Sequence, residues 1–352
     1  MLFPWQAEAW QHIVKQVRNE TLPHAYLFSG LEGVGKLDFA KTFAQYLLCE
    51  VRINPIQESN KNNSKSLGVV DARACGQCKQ CKLFQSGTHP DLKIIEPDEG
   101  SKILKINMIR GMVDFFNQSS MQGGRKIAII APAEALNNNA ANALLKTLEE
   151  PSDNSNIFLI SHSSGRLLPT IRSRCQVLDF NLPSKALSIS WLFDQAVSSD
   201  EPAYREDELR ALLDLASQAP LRARYYLKID ALKESQIMLA EIGQLLKKEL
   251  LASTVSERWN DDISTLRLSW LIQWVCQIVK FKQAAHENQD LDHVAGGKML
   301  NYLAEKGSFN QLFALYKASL CEYKLFLGTS NPNKILSFES LLHRWQALMV
   351  KT

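Results

Sequence analysis

Residues 25–40 read AYLFSGLEGVGKLDFA. A short apolar run ends in glycine, a glycine-rich turn follows, and a helical pattern starts at Lys36. Strand, loop and helix in that order are the setting in which G-x-x-x-x-G-K-[ST] cradles phosphate. Gly30, Gly35 and Lys36 fit the pattern, with Gly33 inside the loop. The last position does not fit. It carries Leu37 where a hydroxyl would hold Mg²⁺, and a hard cation takes oxygen ligands. Lys36 and the N-terminus of the following helix keep an attraction for phosphate, so weak nucleotide binding is expected without a positioned metal.

Hydrolysis in this nucleotide-binding class also needs acidic groups at the end of a second apolar strand. The matching stretch is KIAIIAPAEAL (126–136), with Ala131 and Pro132 where the acids belong. Glu134, two residues on, is a poor substitute. Loss of a metal ligand together with an acid removes at least ~10²–10³ in rate. The sequence therefore predicts a phosphate loop that does not turn over ATP.

Around this loop, apolar runs at 92–97, 126–132, 156–161 and 176–180 alternate with helical patterns at 105–118, 138–149 and 166–174. Alternation of this kind predicts an α/β domain with a mostly parallel sheet covered on both faces. The helix over 36–48 places Leu37, Ala40, Phe43, Ala44, Leu47 and Leu48 on one face. After NLPS (181–184) the strand signals stop and helical patterns run to the end. Pro202, Pro220, the glycine pair at 296–297, Gly307 and GTSNPN (328–333) punctuate them. Residues 50–74 are polar and free of aromatics, which predicts a surface insertion.

The 352 residues suffice for two or three domains, at 45% hydrophobic and 22% charged composition. A net charge of +3 demands neither a nucleic-acid nor a membrane partner. No apolar stretch reaches the roughly 20 residues that a bilayer takes, and the N-terminus lacks the layout of a secretion signal. Three of the seven cysteines form CGQCKQC, Cys75, Cys78 and Cys81. Two C-x₂-C steps in a chain with an odd cysteine count point to structural zinc in a reducing compartment, and so to the cytoplasm. Tetrahedral zinc needs a fourth ligand, and Cys49 and His89 are the candidates.

Two further stretches are chemically marked. In TIRSRCQVLDF (170–180), Arg172 and Arg174 fall at a helix end, where cations complement the helix dipole. The helix over 137–151 carries an apolar stripe of Ala141, Leu144, Leu145 and Leu148, then ends at Pro151 with Glu149 and Glu150 in its last turn. Acid opposes the dipole there, so these carboxylates should have partners elsewhere.

HAYLFSG (24–30), CGQCKQC (75–81), GTHPD (87–91), ANALLKTLEEP (141–151) and IRSRC (171–175) together resemble subunits of the bacterial DNA polymerase III clamp loader, in the AAA+ clamp-loader family. The likeness is dense over 4–182 and thin beyond. It implies an AAA+ domain over 1–182 with a zinc module (49–81), a helical lid over 183–228 and a helical collar over 229–352. It implies Cys49 as the first zinc ligand and Arg174 as an arginine finger acting in trans on a neighbouring motor subunit's ATP site. Arg222 falls near the family's sensor arginine, with a doubtful role beside a dead site. The usual sensor threonine is replaced among Ser161, His162 and Ser163.

Leu37, Ala131 and Pro132 then mark a member that does not hydrolyse ATP, within a DNA-directed DNA polymerase holoenzyme. The implied partners are the motor (gamma/tau) and delta subunits in a hetero-oligomeric ring, with the sliding clamp and primer-template DNA reached through it. Two rivals remain at this stage, a competent AAA+ ATPase and a zinc-dependent nucleic-acid-binding protein. The substituted catalytic positions argue against the first. The near-neutral charge and the lack of aromatic-basic interleaving around the cysteines argue against the second.

Overall fold

The computed structural model describes residues 2–53, 72–122, 124–197, 204–283, 297–328 and 332–349. Most of the expected polar insertion, 54–71, lies outside the described residues, as do Pro202, Gly296 and the centre of GTSNPN. The chain divides into two compact units, Met1–Leu187 and Ser188–Thr352.

The first unit is built on β1 (Ala25–Gly30), β2 (Leu92–Ile95), β3 (Lys126–Ile130), β4 (Ser155–Ser161) and β5 (Gln176–Phe180). They form one five-stranded sheet in the order β2-β3-β4-β1-β5, and every pairing is parallel. Its helices are α1 (Ala7–Arg18), α2 (Lys36–Leu48), α3 (Lys79–Gln85), α4 (Ile106–Asn117), α5 (Asn138–Glu149) and α6 (Pro169–Arg172). Parallel strands need crossover connections, which put helices on both faces and bury the strands on both sides. That is why AYLFSG is apolar throughout rather than alternating.

The period of two still sorts the side chains between faces. Tyr26 and Phe28 enter one core with Trp10, Phe39, Phe43, Phe158 and Phe180. Ala25 and Leu27 enter the other with Ile109, Met112, Leu144 and Leu148. The first core is an aromatic cluster, with Phe43 stacked on Phe158 at 5.2 Å and Trp10 edge-on to Phe39 at 5.8 Å.

One sequence expectation is extended here and one is corrected. On α2, the stripe of Leu37, Ala40, Phe43, Ala44, Leu47 and Leu48 packs in or against the aromatic core, and Phe39 and Tyr46 are buried as well. The helix is covered by α1 as well as by the sheet, through Trp10 against Phe39, Phe43 and Tyr46, so its buried arc is wider than one stripe. The helix expected over 166–174 is only the four residues of α6, preceded by a 3₁₀ turn at Ser164–Arg166. Leu168 is extended and Pro169 restarts the helix at its first position, which is where proline is tolerated.

The second unit is helical. It comprises α7 (Lys185–Val197, which starts just before the boundary), α8 (Glu206–Leu215), α9 (Pro220–Lys228) and α10 (Ala231–Leu246). α11 (Ala252–Arg258), α12 (Ser264–Gln283), α13 (Gly297–Lys306), α14 (Phe309–Leu327) and α15 (Lys334–Ala347) follow. α12 packs on α13 and α14, and α15 packs on α10, α11 and α14. Buried charges in this unit are paired. Glu241 accepts from Trp259 Nε1 at 2.7 Å and Arg258 at 3.1 Å. Arg267 reaches Glu234 at 2.9 Å and Asp261 at 2.7 Å. No described helix is long and apolar enough to cross a membrane.

Candidate functional site

The phosphate loop leaves β1 and enters α2, and the fold tolerates only glycine at two of its positions. A Cβ on Gly30 would sit 2.3 Å from the carbonyl oxygen of Phe180. Gly35 has φ +84°, and a Cβ there would lie 2.5 Å from the ring of Phe3. Gly33 is left-handed as well. These glycines build the loop, but its interior is committed to the protein itself. Lys36 is buried, and its ammonium donates to the carbonyls of Gly30 and Leu31, both at 2.7 Å. Leu37 packs against the aromatic core.

The segment before α1 closes over the other side of the loop. Trp5 Nε1 donates to the carbonyl of Val34 at 2.9 Å. The amide of Gln6, fully buried, donates to Val34 and Gly35 at 3.1 and 2.9 Å.

At the end of β3, Ala131 is buried and its N–H donates to Ile95. Glu134 lies in the 3₁₀ turn beyond, where one carboxylate oxygen accepts the backbone N–H of His162 at 2.8 Å. That contact ties the ends of β3 and β4 together and uses the acid structurally. Ser161, at the end of β4, accepts the N–H of Ser163.

α2 runs from the phosphate loop to Cys49, which caps its C-terminus in extended conformation. The Sγ atoms of Cys49, Cys75, Cys78 and Cys81 all lie within 4.8 Å of one another. Cys49 is 3.5 Å from Cys75 and 3.9 Å from Cys78, and Cys75 is 3.9 Å from Cys81. Zn–S bonds of about 2.3 Å in a tetrahedron require S–S separations of about 3.8 Å, so the donor set fits zinc. No disulfide joins these cysteines.

Backbone N–H groups point at the sulfurs: Cys75 to Cys49 at 3.2 Å, Cys78 to Cys75 at 3.3 Å and Cys81 to Cys78 at 3.4 Å. The N–H groups of Gln77 and Cys78 hold the Cys75 thiol low, at about 6. Burial pushes Cys49 and Cys81 up. Of the two candidates for a fourth ligand, Cys49 stands in the cluster. His89 is buried apart from it, its Nδ1 accepting the N–H of Asp91 at 3.1 Å.

The insertion between the first and second thiols is closed at its base. Ile53 and Arg73 exchange backbone hydrogen bonds of 2.9 and 3.0 Å, and Trp10 Nε1 donates to the carbonyl of Ala72 at 2.8 Å.

Arg174 follows the short α6, whose four residues generate little dipole, and it meets that helix end through a carbonyl. Its Nη2 lies 2.6 Å from Glu149 Oε1, in the last turn of α5. Its Nη1 donates to the carbonyl of Thr170 at 2.9 Å. Glu149 thus has the partner its unfavourable position required. Arg172 is exposed and has no ion-pair partner among the described residues.

The family described as "DNA polymerase III, delta subunit" matches residues 5–184, and "DNA polymerase III, delta subunit, C terminal" matches residues 230–347. DNA polymerase III subunit delta' of Pseudomonas aeruginosa is 36% identical over 348 residues, covering 99% of this chain and 98% of its own. The chain belongs to the delta' family of DNA polymerase III. The delta' subunit of Yersinia pestis is 29% identical, covering 99% of this chain and 97% of its own. That of Escherichia coli K12 is 28% identical, covering 82% and 80%. Among solved structures, a gamma subunit-related protein of Thermotoga maritima covers 98% of this chain and 100% of its own, at 20% identity and a TM-score of 0.44. That superposition is too loose to add to the sequence match.

Three features of this delta' family member left no signal in the sequence. The first is the clamp of Trp5 and Gln6 on the phosphate loop, made through backbone carbonyls that no residue pattern records. The second is the buried carboxylate of Asp91, which accepts from Ser120 Oγ at 2.9 Å and from the N–H groups of Met121 and Gln122 at 3.0 Å. The third is the identity of the Glu149 partner.

Proposed function

We propose that this chain is a non-hydrolysing subunit of the DNA polymerase III clamp loader. It helps a ring of subunits open the sliding clamp and load it at primed DNA, and it lends Arg174 to a neighbouring motor subunit's ATP site. The observation that carries the dead-site reading is the phosphate loop itself. Lys36 is held by the loop's own carbonyls, Leu37 packs partly buried against the aromatic core, and Ala131 and Pro132 offer no metal ligand or base.

In this reading Cys49, Cys75, Cys78 and Cys81 hold a structural zinc, and four protein ligands leave no position open for chemistry. Residues 1–182 are the AAA+ body, residues 183–228 the lid and residues 229–352 the collar that joins the ring. The motor (gamma/tau) and delta subunits are its direct partners.

Omitting the chain from a reconstituted loader tests the function. Without it, DNA- and clamp-stimulated ATPase and loading should collapse, and adding it back should restore both while the purified chain alone turns over no ATP. Normal loading in its absence would sink the proposal.

A second expectation concerns nucleotide. Binding must displace Lys36 from two carbonyls and gains no metal bridge, so a fluorescent ATP analogue should bind weakly. Its affinity should be the same with Mg²⁺ as with EDTA. Strongly Mg²⁺-dependent affinity would show a working site.

A further inference from the structure

The ion pair between Arg174 and Glu149 has a consequence that rests on the trans-acting role proposed above. A guanidinium recognises two oxygens held on one planar or tetrahedral centre, which both a carboxylate and a phosphate provide. Glu149 supplies such oxygens from the same chain, with Nη2 2.6 Å from Oε1. The carbonyl of Thr170, at 2.9 Å from Nη1, and Ser173 Oγ, at 3.5 Å, fix the other branch of the fork.

The side chains of Arg174 and Glu149 remain 35% and 50% exposed. The pair is therefore open to solvent and to an approaching surface, and it can exchange partners. Glu149 occupies a position that is unfavourable on helical grounds, since a carboxylate in the last turn faces the negative end of the dipole. The Arg174 cation opposite offsets this. Glu150 beside it is exposed, and Pro151 ends the helix there, so the carboxylate is presented at a fixed point.

We infer that Glu149 is a positioning residue that holds the Arg174 guanidinium in reserve by imitating the γ-phosphate. The guanidinium passes to the neighbouring nucleotide only when the ring closes around it. A triphosphate carries more charge than a carboxylate and outcompetes it once within reach. An idle, mostly open ring brings the phosphate within reach only partly and transiently, and there Glu149 competes for the arginine. The pair thereby restrains hydrolysis when no DNA or clamp has closed the ring. Because exposed ion pairs are weak, the restraint is worth up to about fivefold in rate.

The test uses the full loader reconstituted with wild-type chain, Glu149→Gln, Glu149→Asp, Arg174→Ala and the Glu149→Gln/Arg174→Ala double variant. ATPase is measured idle and then with DNA and clamp. Glu149→Gln should raise idle turnover at the one site Arg174 serves up to about fivefold, and the loader's idle rate by that site's share, while the stimulated kcat stays nearly unchanged and the stimulation ratio falls. Glu149→Asp keeps the charge and should stay close to wild type. In the Arg174→Ala background, Glu149→Gln should change nothing. An unaltered idle rate in Glu149→Gln, or the same change in both backgrounds, overturns the restraint while the trans role of Arg174 stands. A fall in idle and stimulated rates together also overturns it, since Glu149 would then orient the arginine productively. If Arg174→Ala alone has no effect, the trans-acting role itself has failed, which is a separate outcome.

Discussion

Arg174→Ala should leave the chain folded and the loader assembled, yet nearly abolish hydrolysis at the one motor site it faces. An arginine finger supplied in trans stabilises transition-state charge and is worth about 10³–10⁵ in rate. The remaining motor sites keep their own fingers, so steady-state ATPase falls only by that site's share. Single-turnover hydrolysis should accordingly split into a normal phase and a lost one, with clamp loading slowed more than bulk ATPase.

Stability should change by less than about 1 kcal/mol, because the pair with Glu149 is half exposed and solvent screens it. Arg174→Lys should rescue poorly, since an ammonium is a point charge without the planar fork. Arg172→Ala, two residues away on an exposed position, should load clamps at close to the normal rate. Wild-type loading by Arg174→Ala would leave Arg174 as no more than a partner for Glu149.

Cys78→Ser should release about one zinc per chain and destabilise the first unit. Tying Cys49 to Cys75 closes a long loop, and a cross-link over such a span is worth about 3–4 kcal/mol. Elemental analysis and urea melts, with and without a chelator, measure both effects. Cys49→Ser should behave alike, while His89→Ala should keep its metal. Zinc lost from His89→Ala and kept by Cys49→Ser would overturn the ligand assignment.

Much of this was legible in the sequence, for reasons that can be named. The helices at 36–48 and 138–149 and the strand at 176–180 match their expected bounds, because glycine, asparagine and proline mark their ends locally. The substitutions in the phosphate loop were readable because one missing hydroxyl and two missing acids are facts of residue type. The strand order was not, since it depends on pairings between distant segments. Nor could local signals name the Glu149 partner. Both ends of the pair stood out, an acid at the wrong end of a helix and a cation past a short one, but only the fold brings α5 and α6 side by side. The burial of Phe39 and Tyr46 beyond the stripe of α2 was not readable, because α1 covers them from a direction no periodicity in α2 records.

The self-occupied loop also bears on ancestry. Suppose a descendant regained a hydroxyl by Leu37→Thr. It would first lose apolar packing on the aromatic core, with Lys36 still bound to Gly30 and Leu31. Ala131→Asp would place a carboxylate at a position only 6% exposed, before any metal existed to compensate it. Each reversal is costly alone, and all are needed together before any hydrolysis returns. Selection acting on one substitution at a time meets a valley, so a lineage that carries these substitutions tends to keep them.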